Sequence, residues 1–279
     1  MNFHQFAEAH GLIIDRSLVD GRICRCKTTD KPHHKNGAYL FNSDFGWVQN
    51  HATMTEPAIW HPDREQPVKI DRAAIAKQRA ATDRVMRVGR EQAAKVAKAI
   101  LGECEQTQHA YLDSKGFPEL RGAVYRPDAD NLLVVPMYVG KKLVGCQTIS
   151  IDGGKKFIHG QQAKGAEFVI GSGDLHAYCE GYATGLSIHA AAKQRLSVHV
   201  CFSAGNLTHM AREGFVVADN DASDTGRKAA VATGLPYFMP PTIGHDFNDF
   251  HREHGLFRAT MALNDFLREN RLTIRRRCG

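Results

Sequence analysis

Two short apolar runs, each ending in acid, constrain this chain more than any other feature. Residues 175–179 lead into Glu180-Gly181, and residues 215–218 lead into Asp219-Asn220-Asp221. Each run has the length of a buried strand, and helix-forming sequence follows both, over 184–193 and 224–233. Short apolar runs alternating with helices build a parallel α/β sheet. Sites in open parallel sheets gather at the carboxyl ends of the strands, so Glu180, Asp219 and Asp221 are expected on one edge. Residues two apart in extended chain point the same way, which lets Asp219 and Asp221 face one point. Crowded carboxylates repel one another unless a hard cation lies between them, and Mg²⁺ (or Mn²⁺) is the expected cation.

Further pieces extend this edge. The run 236–239 is a candidate strand, ended by Pro240-Pro241 because proline cannot donate to a sheet ladder. The segment Gly244-His245-Asp246-Phe247-Asn248-Asp249-Phe250 then places Asp246 and Asp249 in a loop beside the same sheet edge. Asn206 follows a predicted strand that contains Cys201 and is a candidate for that edge as well. Asp224 is expected to cap the helix over 224–233.

The ordered set resembles the TOPRIM domain of primases, topoisomerases and some nucleases. The wording is closer to the primases of phages and conjugative plasmids. It is carried by Cys179-Glu180-Gly181-Tyr182-Ala183-Thr184-Gly185, Ser203-Ala204-Gly205-Asn206-Leu207, Ala218-Asp219-Asn220-Asp221 and Asp246-Phe247-Asn248-Asp249. Upstream, Tyr111-Leu112-Asp113-Ser114-Lys115-Gly116 and Gly154-Lys155-Lys156-Phe157 also look like that group. The resemblance spans residues 105–255. It implies that Glu180, Asp219 and Asp221, with Asp246 and Asp249, hold one or two Mg²⁺ ions. It further implies that basic residues upstream of Glu180, foremost Lys155 and Lys156 and then Arg121, Arg126, Lys141 and Lys142, meet nucleotide or template phosphates.

Five segments follow from the pattern of the chain. Residues 1–68 read as a small β-rich module behind a first helix, with Asn36-Gly37 as a turn signal between its first strands. Pro62 and Pro67 mark its end. Residues 69–102 read as a charged helical linker, since 71–101 contains no proline and a single glycine. Residues 103–172 are a mixed α+β subdomain with strands over 132–135, 142–144 and 147–151 and a turn at Asp152-Gly153-Gly154. Residues 173–255 are the TOPRIM-like parallel α/β domain, and 256–279 a helix and basic tail.

Composition narrows the function classes. No apolar run approaches the ~20 residues needed to cross a bilayer, and the start lacks the order of a secretory signal, so no membrane partner and a cytoplasmic protein are expected. The seven cysteines are odd in number and irregularly spaced, which argues for reduced thiols. Cys24-x-Cys26 with His33-His34 falls short of a zinc ribbon, whose paired cysteines stand two to four residues apart with a second pair in range. On a strand Cys24 and Cys26 share one face and suit core packing. A net charge of +6 suits a polyanionic partner, with basic residues dense over 72–98 and at Arg275-Arg276-Arg277. No phosphate loop of the Gly-x-x-x-x-Gly-Lys type is present, so an ATPase of that type is not expected.

The expectation is a primase-like nucleotidyltransferase that makes short primers on single-stranded DNA from nucleoside triphosphates, working with a separate replicative helicase. The alternatives are a TOPRIM nuclease, which uses the same acids to activate water, and a non-catalytic DNA-binding replication protein.

Overall fold

A capping box opens the chain: Asn2 Oδ1 accepts the Gln5 N–H at 2.9 Å, and Gln5 Oε1 accepts the Asn2 N–H at 3.2 Å. It starts α1 (Phe3–Ala9), which buries Phe3 and Ala7. The computed structural model describes residues 1–54, 56–62, 72–127 and 130–274, with 72–79 described by backbone alone. Pro67, Asp71, Cys278 and the run Arg275-Arg276-Arg277 lie outside the described residues. The chain divides into two units, Met1–Lys77 and Gln78–Gly279.

In the first unit, β1 (Leu12–Ile13), β2 (Ile23–Thr28), β3 (Gly37–Asn42), β4 (Phe45–Asn50) and β5 (Ala58–Trp60) form an antiparallel meander in chain order. Strict alternation along β2 buries Cys24, Cys26 and Thr28 and exposes Ile23, Arg25 and Lys27. The two cysteines join Phe3, Leu12, Tyr39, Val48 and Trp60 in this unit's core, as a shared strand face requires. The Asn36-Gly37 turn differs from expectation. Gly37 is the first residue of β3 and pairs with Cys26, and an eight-residue connection precedes it. A Cβ at Gly37 would stand 2.8 Å from Cys26 Sγ, so glycine is needed there for close packing.

The long helix α2 (Arg72–Gly102) agrees with expectation. It is exposed along most of 80–92, then buries Ala93 and Ala97, one turn apart, and Ala97 packs on Val134 and Cys146 of the second unit's first sheet. That sheet follows as β6 (Glu105–Thr107), a short helix α3 (Ala110–Ser114), β7 (Gly122–Tyr125), β8 (Leu132–Val139), β9 (Lys142–Ile149) and β10 (Lys155–Phe157). All pairs are antiparallel, in the order β10-β9-β8-β7-β6.

The last stretch contains β11 (Phe168–Ile170), β12 (His176–Cys179), α4 (Tyr182–Ala191), β13 (Ser197–Val200), α5 (Ala204–Met210), β14 (Phe215–Val217), α6 (Thr225–Thr233), β15 (Tyr237–Phe238) and α7 (Phe247–Glu269). The sheet order is β11-β13-β12-β14-β15; the last four strands are parallel and β11 is an antiparallel edge. Both faces of this sheet are covered, which is why its strands read as unbroken apolar runs. Ala177, Cys179, Phe215 and Val217 face the cluster of α4 and α7, while Tyr178, Val216 and Ala218 face that of α5 and α6. Phe215 is fully buried, and truncating it to Ala should cost about 3–5 kcal/mol. One boundary differs from expectation: α7 starts at Phe247, not near 256, with a break at Gly255, whose φ of 79° leaves the helical region.

Candidate active site

Glu180 and Asp219 follow directly on β12 and β14, neighbouring parallel strands, and so stand at the same end of the sheet. Glu180 is half-buried, and its backbone C=O accepts the Phe202 N–H at 2.9 Å. Burial and the nearby Asp221 charge raise its pKa. Asp219 is more perturbed. Its Oδ1 is sealed from solvent with no hydrogen-bond partner, and burial followed by the charges of Asp246 and Glu180 pushes its pKa up to about 7. The start of α6 is pressed against it, for a Cβ at Gly226 would fall 2.3 Å from the Asp219 carbonyl oxygen.

Asp221 takes a different part. Asn220 is pinned in extended form by its N–H to His245 O (3.0 Å) and its amide Nδ2 to Pro240 O (2.9 Å). The Asp221 carboxylate then turns to α6, accepting the N–H groups of Ser223 (2.9 Å), Thr225 (3.2 Å) and Gly226 (2.8 Å) and the Ser223 hydroxyl. These donors hold its pKa down to about 2, the Ser223 hydroxyl foremost. Asp221 is therefore the group that caps α6. Asp224 is not, contrary to expectation: it sits in left-handed backbone (φ 62°), makes no side-chain cap, and pairs with Arg227 through two 2.6 Å hydrogen bonds.

Asp246 and Asp249 lie on a helix start, not in a loop. They form the capping box of α7, Asp246 Oδ1 accepting the Asp249 N–H at 2.8 Å and Asp249 Oδ2 the Asp246 N–H at 3.2 Å. Asp246 still bears on Asp219 by charge. Glu180, Asp219 and Asp246 thus share one electrostatic neighbourhood, on which the capping carboxylate of Asp221 also bears.

Lys155 is the cation of that neighbourhood, its charge opposing the upward shifts of both Glu180 and Asp219. Its placement follows from β10. Alternation puts Lys155 and Phe157 on one face of the strand and Lys156 on the other. Phe157 meets Phe202, the residue after β13 and Cys201, with ring centroids 6.3 Å apart in an edge contact. Lys156 instead lines a cavity of about 400 Å³ with Asn131, Thr148 and Ser150.

The remaining expected cations do not join them. Lys142 begins β9 and Lys155 pairs with Ile149 at its far end, a separation of about 23 Å along the strand. Lys141 is in the adjoining β8–β9 turn. Arg121 is exposed just ahead of β7, and Arg126 is bonded to Glu105 and Asn131. Asn206 is buried and spent on structure: Nδ2 donates to Ala166 O (2.7 Å) and Cys201 O (2.9 Å), and Oδ1 accepts the Gly165 N–H (2.8 Å). Its amide braces the loop ahead of β11.

Three residues that sequence reasoning assigned no role stand beside Lys155. Tyr111, Lys115 and Arg252 line, with it, a cavity of about 450 Å³. The first two lie in a motif already noted. Arg252 carried no such signal, since one arginine on a helix is ordinarily a solvated charge.

Among the described residues, no three His, Cys, Asp or Glu side chains are gathered closely enough to ligate one metal ion. The donor chemistry of Glu180, Asp219 and Asp246 nevertheless fits a hard divalent cation. All offer carboxylate oxygen, and the sealed, unpartnered Asp219 Oδ1 is an acceptor that a cation would satisfy.

No protein-family model matches this sequence. Among solved structures, the chain is similar to the primase domains of bacteriophage T7 in a complex with its lagging-strand DNA polymerase (TM-score 0.40, 13% identity, 58% of this chain and 91% of that one). It is similar to the primase fragment of the bacteriophage T7 primase-helicase protein (0.40, 15%, 58% and 76%). The DnaG primase catalytic domain bound to single-stranded DNA gives 0.33, 13%, 61% and 62%. These likenesses are distant and partial.

Proposed function

We propose that this chain is a primase-type nucleotidyltransferase, joining nucleoside triphosphates into short primers on single-stranded DNA. The observation that carries the reading is the sharing of one electrostatic neighbourhood by Glu180, Asp219 and Asp246, opposed by Lys155. The ordered motifs resembling primases of phages and conjugative plasmids supply the reaction class. Glu180, Asp219 and Asp246 would hold Mg²⁺ or Mn²⁺, with Asp221 and Asp249 contributing charge from the helix caps. Such an ion, when bound, supplies Lewis-acid stabilisation of phosphoryl oxygens.

The chain's own residues would do the rest. Lys155 orients an anionic phosphate against the acids, and Lys156, on the other face of β10, meets template phosphates. The bond formed is between a 3′-hydroxyl oxygen and the α-phosphorus of the next nucleotide, with pyrophosphate leaving. Nucleoside triphosphates and single-stranded DNA are the substrates, and a separate replicative helicase is the proposed partner. Among the described residues no helix is long and apolar enough to cross a membrane.

The test is incubation of the full chain with single-stranded DNA, labelled nucleotides and Mg²⁺. New labelled oligomers, lost in Asp219→Asn, support the reading. Shortened DNA would replace it with a nuclease, and binding without either product with a non-catalytic protein.

A further inference from the structure

The first turn of α7 is held from several sides. Asp246 and Asp249 close its capping box, and Phe247, fully buried, meets Phe238 of β15 edge-on with ring centroids 5.4 Å apart. Asn248 is fully buried as well. Its Nδ2 donates to Lys115 O at the end of α3 and to the Ser187 hydroxyl of α4, both at 2.9 Å. Because that hydroxyl accepts from Asn248, its own proton goes to His251 Nδ1, 3.0 Å away and one turn along α7. One amide thus ties together α7, α4 and α3. Of these, α4 is the helix that leaves Glu180-Gly181, and α7 is the one capped by Asp246.

Two features set this amide apart from ordinary core packing. The contacts of Phe247 are apolar and non-directional, so they fix how deep the first turn sits but leave it free to rotate about the helix axis. The hydrogen bonds of Asn248 are directional and stop that rotation. Rotation would carry the N-cap carboxylate of Asp246 away from Asp219, on which its charge bears. The second feature is the other end of the amide. Asn248 Oδ1 is sealed from solvent and has no hydrogen-bond partner among the described residues. A buried carbonyl in that state costs stability, and an apolar side chain of the same shape would avoid the cost. Stability alone therefore does not account for an amide at this position.

We propose that Asn248 is a positioning residue of the acidic site. Through Lys115 O and Ser187 it sets the rotation of the first turn of α7, and so the approach of Asp246 to Glu180 and Asp219. The role rests on the reading of those three acids as ligands of a divalent cation. Groups that orient ligands from outside typically govern metal affinity by about tenfold to a hundredfold.

Binding of Mn²⁺ alone to the full chain, followed by electron paramagnetic resonance, tests this beside thermal melting and primer synthesis. Asn248→Leu keeps the bulk of the side chain and removes both donors. Its melting temperature should stay within about 4 °C of wild type, because the unpartnered carbonyl goes with the amide. Its Mn²⁺ dissociation constant should rise about tenfold or more, and the Mg²⁺ concentration for half-maximal synthesis should rise alongside. Ser187→Ala, which removes one of the two acceptors, should weaken Mn²⁺ by a smaller factor, and it decides alone if Asn248→Leu does not fold. In an Asp246→Asn background, Asn248→Leu should bring no further loss. The proposal is overturned if the wild type does not bind Mn²⁺, or if the folded variants bind it as wild type does. It is equally overturned if the losses of Asn248→Leu and Asp246→Asn simply add. Mn²⁺ binding that depends on Asn248 without any primer synthesis would sink the primase reading and leave the positioning role standing; primer synthesis with Mn²⁺ affinity unchanged in Asn248→Leu would do the reverse.

Discussion

The edge-on contact of Phe157 with Phe202 fixes where Lys155 stands. Phe202 has a φ of 65° and donates its N–H to Glu180 O, so its ring is tied to the acidic end of the parallel sheet. Phe157 shares a face of β10 with Lys155, and the ring contact therefore brings that lysine to Glu180 and Asp219. Phe157 is 48% exposed, so truncation removes little buried area. Phe157→Ala should cost about 1 kcal/mol of stability, yet reduce primer synthesis on the order of tenfold or more by misplacing the cation. Melting curves and turnover measured together check it; equal losses in both, or none in turnover, would count against this role.

Asp219 makes a pH prediction with a definite sign. Its folded pKa of about 7 lies above the ordinary carboxylate value of 3.8. Between those values the folded chain keeps a proton that the unfolded chain has released. Without metal, this group therefore favours folding most at low pH, and its contribution falls as pH rises through about 7. The total is at most about 4 kcal/mol. The difference in unfolding free energy between wild type and Asp219→Asn, followed from pH 5 to 8 in a chelating buffer, should move in favour of the variant. Added Mg²⁺ should stabilise the wild type, and more so at pH 8. A flat difference would show that the carboxyl is not buried against other acids.

Much of this was legible because strand-end acids obey a local rule. Residues 175–179 and 215–218 are apolar on both faces, and the sheet they predict puts Glu180 and Asp219 together whatever else surrounds them. Asp221 and Asp224 show where that rule ends. Both precede a helix, and which one caps it depends on the left-handed backbone at Asp224, a property that no residue type dictates. Asp246 and Asp249 likewise needed the exact start of α7, and Gly255 within it disguised the earlier turns as loop. Lys155 and Lys156 are adjacent letters with opposite destinations, since a strand sends neighbours to opposite faces. Arg252 was illegible, because its partners on the cavity come from residues more than ninety positions away.

Asp221→Asn separates capping from catalysis. Both carboxylate oxygens accept N–H groups of the turn that begins α6, so the variant should lose about 1 kcal/mol of stability. Asp219→Asn should lose none at pH 8. If Asp221 also serves the metal site, its variant will lose Mg²⁺-dependent synthesis beyond what destabilisation explains at a temperature far below melting. Full activity in the double variant Asp219→Asn, Asp221→Asn would remove both from the site.

The two lysines of β10 should differ. Lys155→Ala should reduce synthesis strongly, because its charge bears on Glu180 and Asp219. Lys156→Ala should act mainly on DNA binding, making the slope of log affinity against log salt shallower by about one unit for each phosphate no longer neutralised. Binding isotherms at several salt concentrations, with synthesis rates for each variant, test the division. Identical behaviour of the two single variants would contradict it.

Cys24 and Cys26 carry the last prediction, that they hold no zinc. They pack side by side in the core of the first unit, 6% and 5% exposed. Burial pushes the Cys26 thiol up to about 11, as suits a thiol packed among apolar side chains. His33 and His34 are exposed in the β2–β3 connection. Metal analysis of the purified chain should find well under one zinc per molecule, and chelation should leave the melting temperature unchanged. Cys24→Ser should cost about 1–3 kcal/mol by placing a hydroxyl in an apolar site, with no change in metal content. One tightly held zinc per chain that disappears in Cys24→Ser would overturn the core assignment and restore a metal-binding module.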